Sequence, residues 1–395
     1  MHRRTALYAT LAAAVTAALA LAAPARAQNS APFRIGFILP MTGQSASTGK
    51  QIEAAVKLWQ AQNGTTVAGR KVEVTIKDDA GVADTTRRIA QELVVNDKVD
   101  VLAGFGLTPL ALATAPLATQ AKVPEVVMAA GTSTITEASP FIVRSSFTLP
   151  QATEPMADWA AKNGIKKVVT LVSDYGPGID SEKAFSGTFT KAGGTVENLR
   201  VPLQNPDFSP FLQKVADAKP DALFVFVPAG VGAQFMKQFV ERGLDKSGIK
   251  LIATGDVTDD DLLNTMGDVA LGTITTHHYS ASHDSPENKA FVEAFKKANN
   301  GLRPNFMAVG GYDGMHLIYE GLKKTGGAGG QALVDAMKGM NWTSPRGPVS
   351  IDPQTRDIVQ TIYVRKVERK DGELYNVEFA TIATVMDPVK AAKSQ

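Results

Sequence analysis

The sequence predicts an α/β protein made of two doubly wound parallel-sheet lobes joined by a multi-strand hinge. Short apolar runs alternate with amphipathic helical stretches along most of the chain, the pattern of parallel sheets covered on both faces. The pattern restarts after a bridge near 141–150, as a second lobe requires. Towards the C-terminus it gives way to successive helices and then extended segments, as if the chain revisits each lobe in turn. At 395 residues, 44% hydrophobic and 20% charged, the chain is long enough for two domains.

The first 27 residues stand apart. Arg3 and Arg4 precede an Ala/Leu/Val run to Ala23, followed by Pro24 and Ala25-Arg26-Ala27. A basic start, an apolar stretch and small residues at a cleavage site predict a secretory signal, residues 1–27, removed after Ala27. Its loss takes three arginines and no acid, so the formal charge of +2 becomes −1. No basic reservoir for nucleic acid remains. The chain has no cysteine, which excludes disulfides, thiolate metal sites, a cysteine nucleophile and a lipid-modified cysteine. A freely diffusing periplasmic protein is the expectation.

The elements follow in order. Phe33–Leu39 reads as a short apolar strand, and Ile52, Ala55, Val56 and Trp59 fall on one helical stripe. Val72, Val74 and Ile76 alternate as a strand. A helix carrying Ile89, Leu93 and Val94 comes next, then a strand Val99–Ala103, a helix from Pro109 to Gln120 and a strand Glu125–Ala129. After the bridge, strands Val168–Val172, Val196–Val201, Leu223–Val227 and Leu251–Thr254 alternate with helices near 179–192, 208–218 and 231–243. Leu271–Tyr279 is extended; helices near 286–299, 306–324 and 330–339 and extended segments in 349–379 close the chain. The predicted first lobe is 28–147 plus 280–348, and the second 148–279 plus 349–395, with about three crossings between them.

Ligands of open parallel sheets bind beyond the carboxyl ends of the strands. There the first lobe carries small and hydroxylic loops: Pro40 to Gly49 with Thr48, Gly104 to Pro109 with Leu107 and Thr108, and Ala129 to Thr134 with Ala130 and Thr132. Free N–H groups and hydroxyls at helix starts favour an anion such as a carboxylate. Thr108-Pro109 also reads as an N-cap followed by proline at the first helical position. The second lobe offers Tyr175 in Ser173–Gly178, Ala229 in Pro228-Ala229-Gly230, and Asp256 after a strand, placed for an ammonium or hydroxyl donor or for a helix cap. Phe105, Phe147 and Tyr175 are candidates for an apolar lining, with core packing the default for Phe105.

These motifs in this order resemble the branched-chain amino-acid type of periplasmic binding protein, the type I solute-binding fold of ABC importers. The likeness rests on Pro40-Met41-Thr42-Gly43 with Gly49, the run from Val99 through Thr108 and Pro116 to Pro124, Ala130-Gly131-Thr132, Asp174–Gly178, Asp207-Phe208-Ser209, and Gly267-Asp268 before Gly272. It spans essentially the whole mature chain. The resemblance implies that Thr108, Thr132 and the backbone at Ala130 hold a carboxylate. It implies too that Tyr175 closes over the ligand and that an acid near Asp256 takes an amino group. Thr108-Pro109 replaces the family's usual consecutive serines, Thr48 stands where an aromatic is common, and the match at Asp256 is gapped. The carboxylate half therefore transfers better than the ammonium half, and an aromatic or aliphatic acid stays open beside a branched-chain amino acid.

The expected ligand-binding residues are thus Thr48, Leu107, Thr108, Ala130 and Thr132 on one lobe and Tyr175, Ala229 and Asp256 on the other. No catalytic residue, metal or cofactor is expected. The expected partners are a small carboxylate or amino-acid solute and an inner-membrane ABC permease, with the binding protein itself a monomer. A ligand sensor reporting to a receptor and a secreted α/β hydrolase are the alternatives. Gly43 to Lys50 departs from a nucleotide-binding loop in spacing, and Gln51 stands where a Ser or Thr would hold magnesium. His277 and His278, on an extended segment, are expected on opposite faces. Asp259-Asp260-Asp261 is expected to open a helix, and residues 393–395 to fray.

Overall fold

A computed structural model describes residues 31–393; the proposed signal, residues 1–27, lies outside them. The chain runs β1 (Phe33–Leu39), α1 (Ala46–Asn63), β2 (Thr66–Val67), β3 (Arg70–Asp78), α2 (Ala83–Val95), β4 (Val101–Gly104), α3 (Thr108–Ala121), β5 (Glu125–Val127) and β6 (Ile142–Arg144). It continues with α4 (Leu149–Lys162), β7 (Lys167–Ser173), α5 (Gly176–Lys191), β8 (Thr195–Val201), α6 (Ser209–Ala218), β9 (Ala222–Phe226), α7 (Gly232–Glu241), β10 (Lys250–Thr254), α8 (Leu263–Met266) and β11 (Ile274–His277). The last part is α9 (Pro286–Ala298), α10 (Phe306–Thr325), α11 (Gly330–Met337), β12 (Asn341–Ser344), β13 (Gly347–Ile351), β14 (Ile358–Lys370), β15 (Glu373–Val385) and α12 (Pro388–Ala391).

Two sheets result. The first has strand order β2-β3-β1-β4-β5-β6 and is parallel except for the β2–β3 hairpin. The second has order β12-β13-β14-β11-β10-β9-β7-β8, with β15 added on β14. Its β8 to β11 portion is parallel and the rest antiparallel. β4 and β9 are buried at every position, as strands sandwiched between helical layers must be. In each sheet the winding reverses direction, at β1/β4 in one and β7/β9 in the other. Such reversals leave a crevice between the diverging loops.

The predicted stripe of α1 is buried, and it packs on α10. Gly49 allows the first turn to lie against the preceding loop, since a Cβ there would meet the Pro40 carbonyl oxygen at 2.4 Å. One helix was not foreseen. In α4, Pro150 falls at the end of the expected bridge, yet proline is harmless in a first turn, whose N–H groups have no helical partner, while Pro155 lies inside the helix and removes one donor from it. Gln151 accepts the Thr148 N–H at 2.9 Å and donates to the carbonyls of Ile358 and Val385, both at 2.9 Å, which fixes α4 to the returning strands. The C-terminus is anchored more than expected: Lys390 is buried against Asp357 and Thr136, and Lys393 pairs with Glu137 at 2.8 Å.

Glu125, at the start of β5, is fully buried, and burial pushes its carboxyl up to about 8, against the smaller opposing effect of the Thr114 hydroxyl. Thr114 Oγ1 donates its proton to the Ala111 carbonyl at 2.9 Å and lies 2.9 Å from Glu125 Oε2, an arrangement a protonated Glu125 completes by donating. The unfolded chain releases this proton near the ordinary value of 4.5, while the fold keeps it up to about 8. The stabilisation is therefore whole below 4.5 and is lost as pH rises through that window. Glu125→Gln is expected to flatten the decline of melting temperature between pH 5 and 8; parallel declines in both proteins would refute the assignment.

Candidate functional site

The two winding reversals face each other across one narrow cleft. Loops at the carboxyl ends of strands supply most of the lining. On the first lobe, Thr48 comes from the first turn of α1, Gly106, Leu107 and Thr108 follow β4, and Ala129 to Gly131 follow β5. Tyr175 and Pro177 follow β7, Phe226, Pro228 and Ala229 end and follow β9, and Asp256 follows β10. Phe147 and Leu149, from the crossing, and Met307, from α10, complete the lining.

Seven of the eight residues expected from the sequence line this cleft: Thr48, Leu107, Thr108, Ala130, Tyr175, Ala229 and Asp256. The eighth, Thr132, stands behind Thr108, their hydroxyl oxygens 2.9 Å apart. Two hydroxyls hold two protons, and this bond uses one. The other is free to donate, and no second side-chain partner of either hydroxyl occurs among the described residues. Thr108 does not cap its helix as expected. Leu107 is the capping residue, and Thr108 is the first helical residue, its hydroxyl bonded to Thr132 instead. The buried Arg144, which the sequence reading passed over, donates to the Thr132 carbonyl at 2.7 Å and to the Phe147 carbonyl at 3.0 Å. Its Nε lies 3.0 Å from Asp357, so a buried ion pair holds the loop in place.

The second-lobe wall is more apolar. The Tyr175 and Phe226 rings stack with centroids 6.1 Å apart and planes 16° off parallel. Burial, and then the charge of Asp256, pushes the Tyr175 phenol well above its ordinary value, so it remains a donor at neutral pH. Asp256 is buried, and its nearest cationic or imidazole neighbour is His277, whose Nε2 lies 3.5 Å from Asp256 Oδ2. Phe105 packs in the core and Phe147 lines the cleft.

The lobes are closed on one another. Ser47 donates to Asp261 at 2.6 Å, Asn305 to Asp259 at 3.2 Å and to Asp261 at 3.1 Å, and the Ser133 N–H to Asp180 at 2.9 Å. The acidic run therefore does not open a helix. It lies between β10 and α8, with Asp259 and Asp260 buried, and latches the second lobe to the first. Burial, followed by the charges of Asp261, Asp260 and Asp256, pushes the Asp259 carboxyl well above its ordinary range. The expectation for His277 and His278 fails as well. The strand ends at His277, so alternation stops there, and the two rings meet with their Nδ1 atoms 2.8 Å apart. His283 instead pairs with Glu378 at 2.8 Å.

Sequence reasoning missed Phe226, Leu149 and Met307. Phe226 is the last residue of β9, and the strand-end rule that found Asp256 would also have found it. Met307 arrives from a helix some 50 residues downstream of Asp256, and no local signal marks it.

The described residues match relatives of known kind. The model of the periplasmic binding protein family matches residues 32–373. A solute-binding protein of an ABC transporter from Rhodopseudomonas palustris BisB5, solved with 3,4-dihydroxybenzoic acid, is 66% identical, covers 91% of this chain and 99% of its own, and superposes with a TM-score of 0.89. Another R. palustris solute-binding protein, solved with 4-hydroxybenzoate, is 44% identical over 90% of this chain and 98% of its own, with a TM-score of 0.87. The Leu/Ile/Val-binding protein homolog 6 of Brucella melitensis is 46% identical over 382 residues, 95% of this chain and 98% of its own. Two facing sheet edges, a closed cleft between them and a match over nearly the full length agree: this chain belongs to the periplasmic binding protein family, among the solute-binding proteins of ABC transporters.

Proposed function

We propose that this protein captures a hydroxylated benzoate in the periplasm, as a monomer, and delivers it unaltered to an inner-membrane ABC permease. The observation that carries this reading is the division of the cleft. One wall holds a threonine pair with a hydroxyl proton to spare. The other holds a buried carboxylate, Asp256, and Phe147, Tyr175 and Phe226 supply flat apolar surface. An aromatic carboxylate satisfies all three: its anion meets the threonines at the start of α3, its ring meets the aromatic side chains, and its hydroxyl donates to Asp256. The hydroxybenzoate complexes of the two R. palustris relatives support the same chemistry. Membership of a family of solute-binding proteins supports binding, not chemistry, as the role. The lobes expected from the sequence, 28–147 plus 280–348 and 148–279 plus 349–395, would be the bodies that close.

A branched-chain amino acid is the second reading, favoured by the name of the Brucella relative and by the ability of Asp256 to accept from an ammonium. A thermal-shift series separates the two, because a ligand specific to the folded state raises the melting temperature. Signal-free protein should be stabilised by 4-hydroxybenzoate and 3,4-dihydroxybenzoate and unaffected by leucine; the reverse order would sink the proposal. Thr108→Val should weaken 4-hydroxybenzoate at least about tenfold, the loss of one hydrogen bond to a charged group, with the ligand-free melt unchanged.

A further inference from the structure

The buried histidine pair lies outside the cleft lining, and the proposed function makes no use of it. Asp256 and His277 each present an atom that is shielded from solvent and lacks a hydrogen-bond partner, Oδ2 of one and Nε2 of the other, and these atoms face each other at 3.5 Å. The ring of His277 packs directly against the backbone that carries Asp256. A Cβ on the intervening Gly255 would sit 2.2 Å from His277 Cδ2 and 2.1 Å from Nη2 of the buried Arg365. Only glycine lets both side chains approach so closely, and the approach fixes where Asp256 begins.

The proton on His277 can be placed from its other nitrogen. Nδ1 accepts the main-chain N–H of His278 at 2.9 Å. A main-chain N–H cannot be turned around or removed, so Nδ1 must offer its lone pair, and a neutral ring then carries its proton on Nε2, towards Asp256. His278 Nδ1, 2.8 Å from the same lone pair, is accordingly the protonated nitrogen of its own ring. Burial opposes a second proton on either ring, outweighing the pull of Asp256 on His277. Packing holds the pair rigid: His277 lies 4.2 Å from the Phe306 ring and 4.9 Å from Phe147, centroid to centroid.

We infer that His277 is a positioning residue: a neutral Nε2–H donor that orients the Asp256 carboxylate to accept a ring hydroxyl, and so sets a preference for hydroxylated over unsubstituted benzoates. The inference rests on the proposed function and specifies its selectivity. A charged histidine would neutralise Asp256 and weaken its demand for a second donor. A neutral one steers the carboxylate and leaves its charge for the ligand, where a hydrogen bond to an ionised acceptor is strongest. Among the described residues, Tyr175 and Asp256 are the only polar side chains of the second-lobe lining. That suits the single donor of a phenol better than the three of an ammonium.

Calorimetry on the signal-free protein and on His277→Phe and His277→Gln, with 4-hydroxybenzoate and benzoate, tests this. The wild type should prefer 4-hydroxybenzoate. His277→Phe should narrow that preference about tenfold, the upper range for one neutral donor, and leave benzoate affinity within about twofold. His277→Gln, whose amide extends to the place of Nε2, should restore the preference. A His277→Phe protein with the wild-type ratio, or with both affinities lowered alike, overturns the inference. A wild type that binds neither acid overturns the proposed function instead. Long-range proton–nitrogen NMR of the unmutated protein gives an answer that needs no variant: His277 protonated on Nε2 supports the assignment, and protonation on Nδ1 removes it.

Discussion

Gly176→Val is expected to weaken 4-hydroxybenzoate binding about 100-fold and to leave the ligand-free melting temperature unchanged. A Cβ at Gly176 would lie 2.5 Å from Thr132 Oγ1 and 3.4 Å from Thr108 Cγ2, so the first residue of α5 closes directly onto the threonine pair of the opposite lobe. A larger side chain there can be accommodated only by keeping the lobes apart or by turning Thr132 away from Thr108. Overpacking costs about 1–3 kcal/mol, and each 1.4 kcal/mol is tenfold in affinity, so the upper end reaches about 100-fold. The three atoms nearest such a Cβ all belong to the opposite lobe, so separating the lobes relieves these contacts. The position itself tolerates a branched side chain before proline, because Thr108-Pro109 occupies the same place at the start of α3. Calorimetry gives the affinity, and solution scattering should show no compaction on adding ligand. Wild-type affinity would mean that binding does not require this closure.

Asp313→Ala is expected to cost about 3–5 kcal/mol of folding stability by leaving a buried guanidinium without its counter-ion. Arg346 and Asp313 are both buried, with Nη2 and Nε of the arginine 2.6 and 2.9 Å from Asp313 Oδ2. The same guanidinium donates to the carbonyls of Ser145 and Ser146 and to Gln360 Oε1, while Trp342 and Ser344 donate to Asp313. Arg346 thus fastens the first crossing of the chain, helix α10 and the start of the returning strands at one point. Denaturant unfolding of the ligand-free protein measures the loss. Asp313→Leu combined with Arg346→Met, which removes both charges, should recover much of it, since a buried pair contributes less than its broken half costs. A single variant within 1 kcal/mol of the wild type would show that the charge is relieved by solvent.

The loop residues found from sequence share one property: each stands at the carboxyl end of a strand whose apolar run is unmistakable. β4, β7 and β10 announce themselves by short apolar runs, and once they are placed, the position of Thr108, Tyr175 or Asp256 follows from chain direction alone. Helix α4 escaped because its first proline, Pro150, looks like punctuation until one knows that it falls where no helical N–H is needed. Met307 escaped because a methionine on a helix face looks the same whether it faces a core or a ligand. Nothing local in the sequence marks Arg144, Arg346 and Lys390 for burial, and only their partners, up to 200 residues and more away in the chain, explain it.

By itself the sequence determined the alternation of strands and helices, and with it two sheets with parallel centres whose loops of small and hydroxylic residues gather at one edge. That much is local: apolar periodicity and strand-end residues are read within a window of a dozen positions. Only the tertiary structure decided which loops of the two lobes meet. It set Gly176 against Thr132, turned Asp259 to Asp261 from a helix opening into a latch, and brought His277 to Asp256. Those contacts depend on the relative placement of two sheets, which no local pattern encodes, because the distances that matter run between residues far apart along the chain.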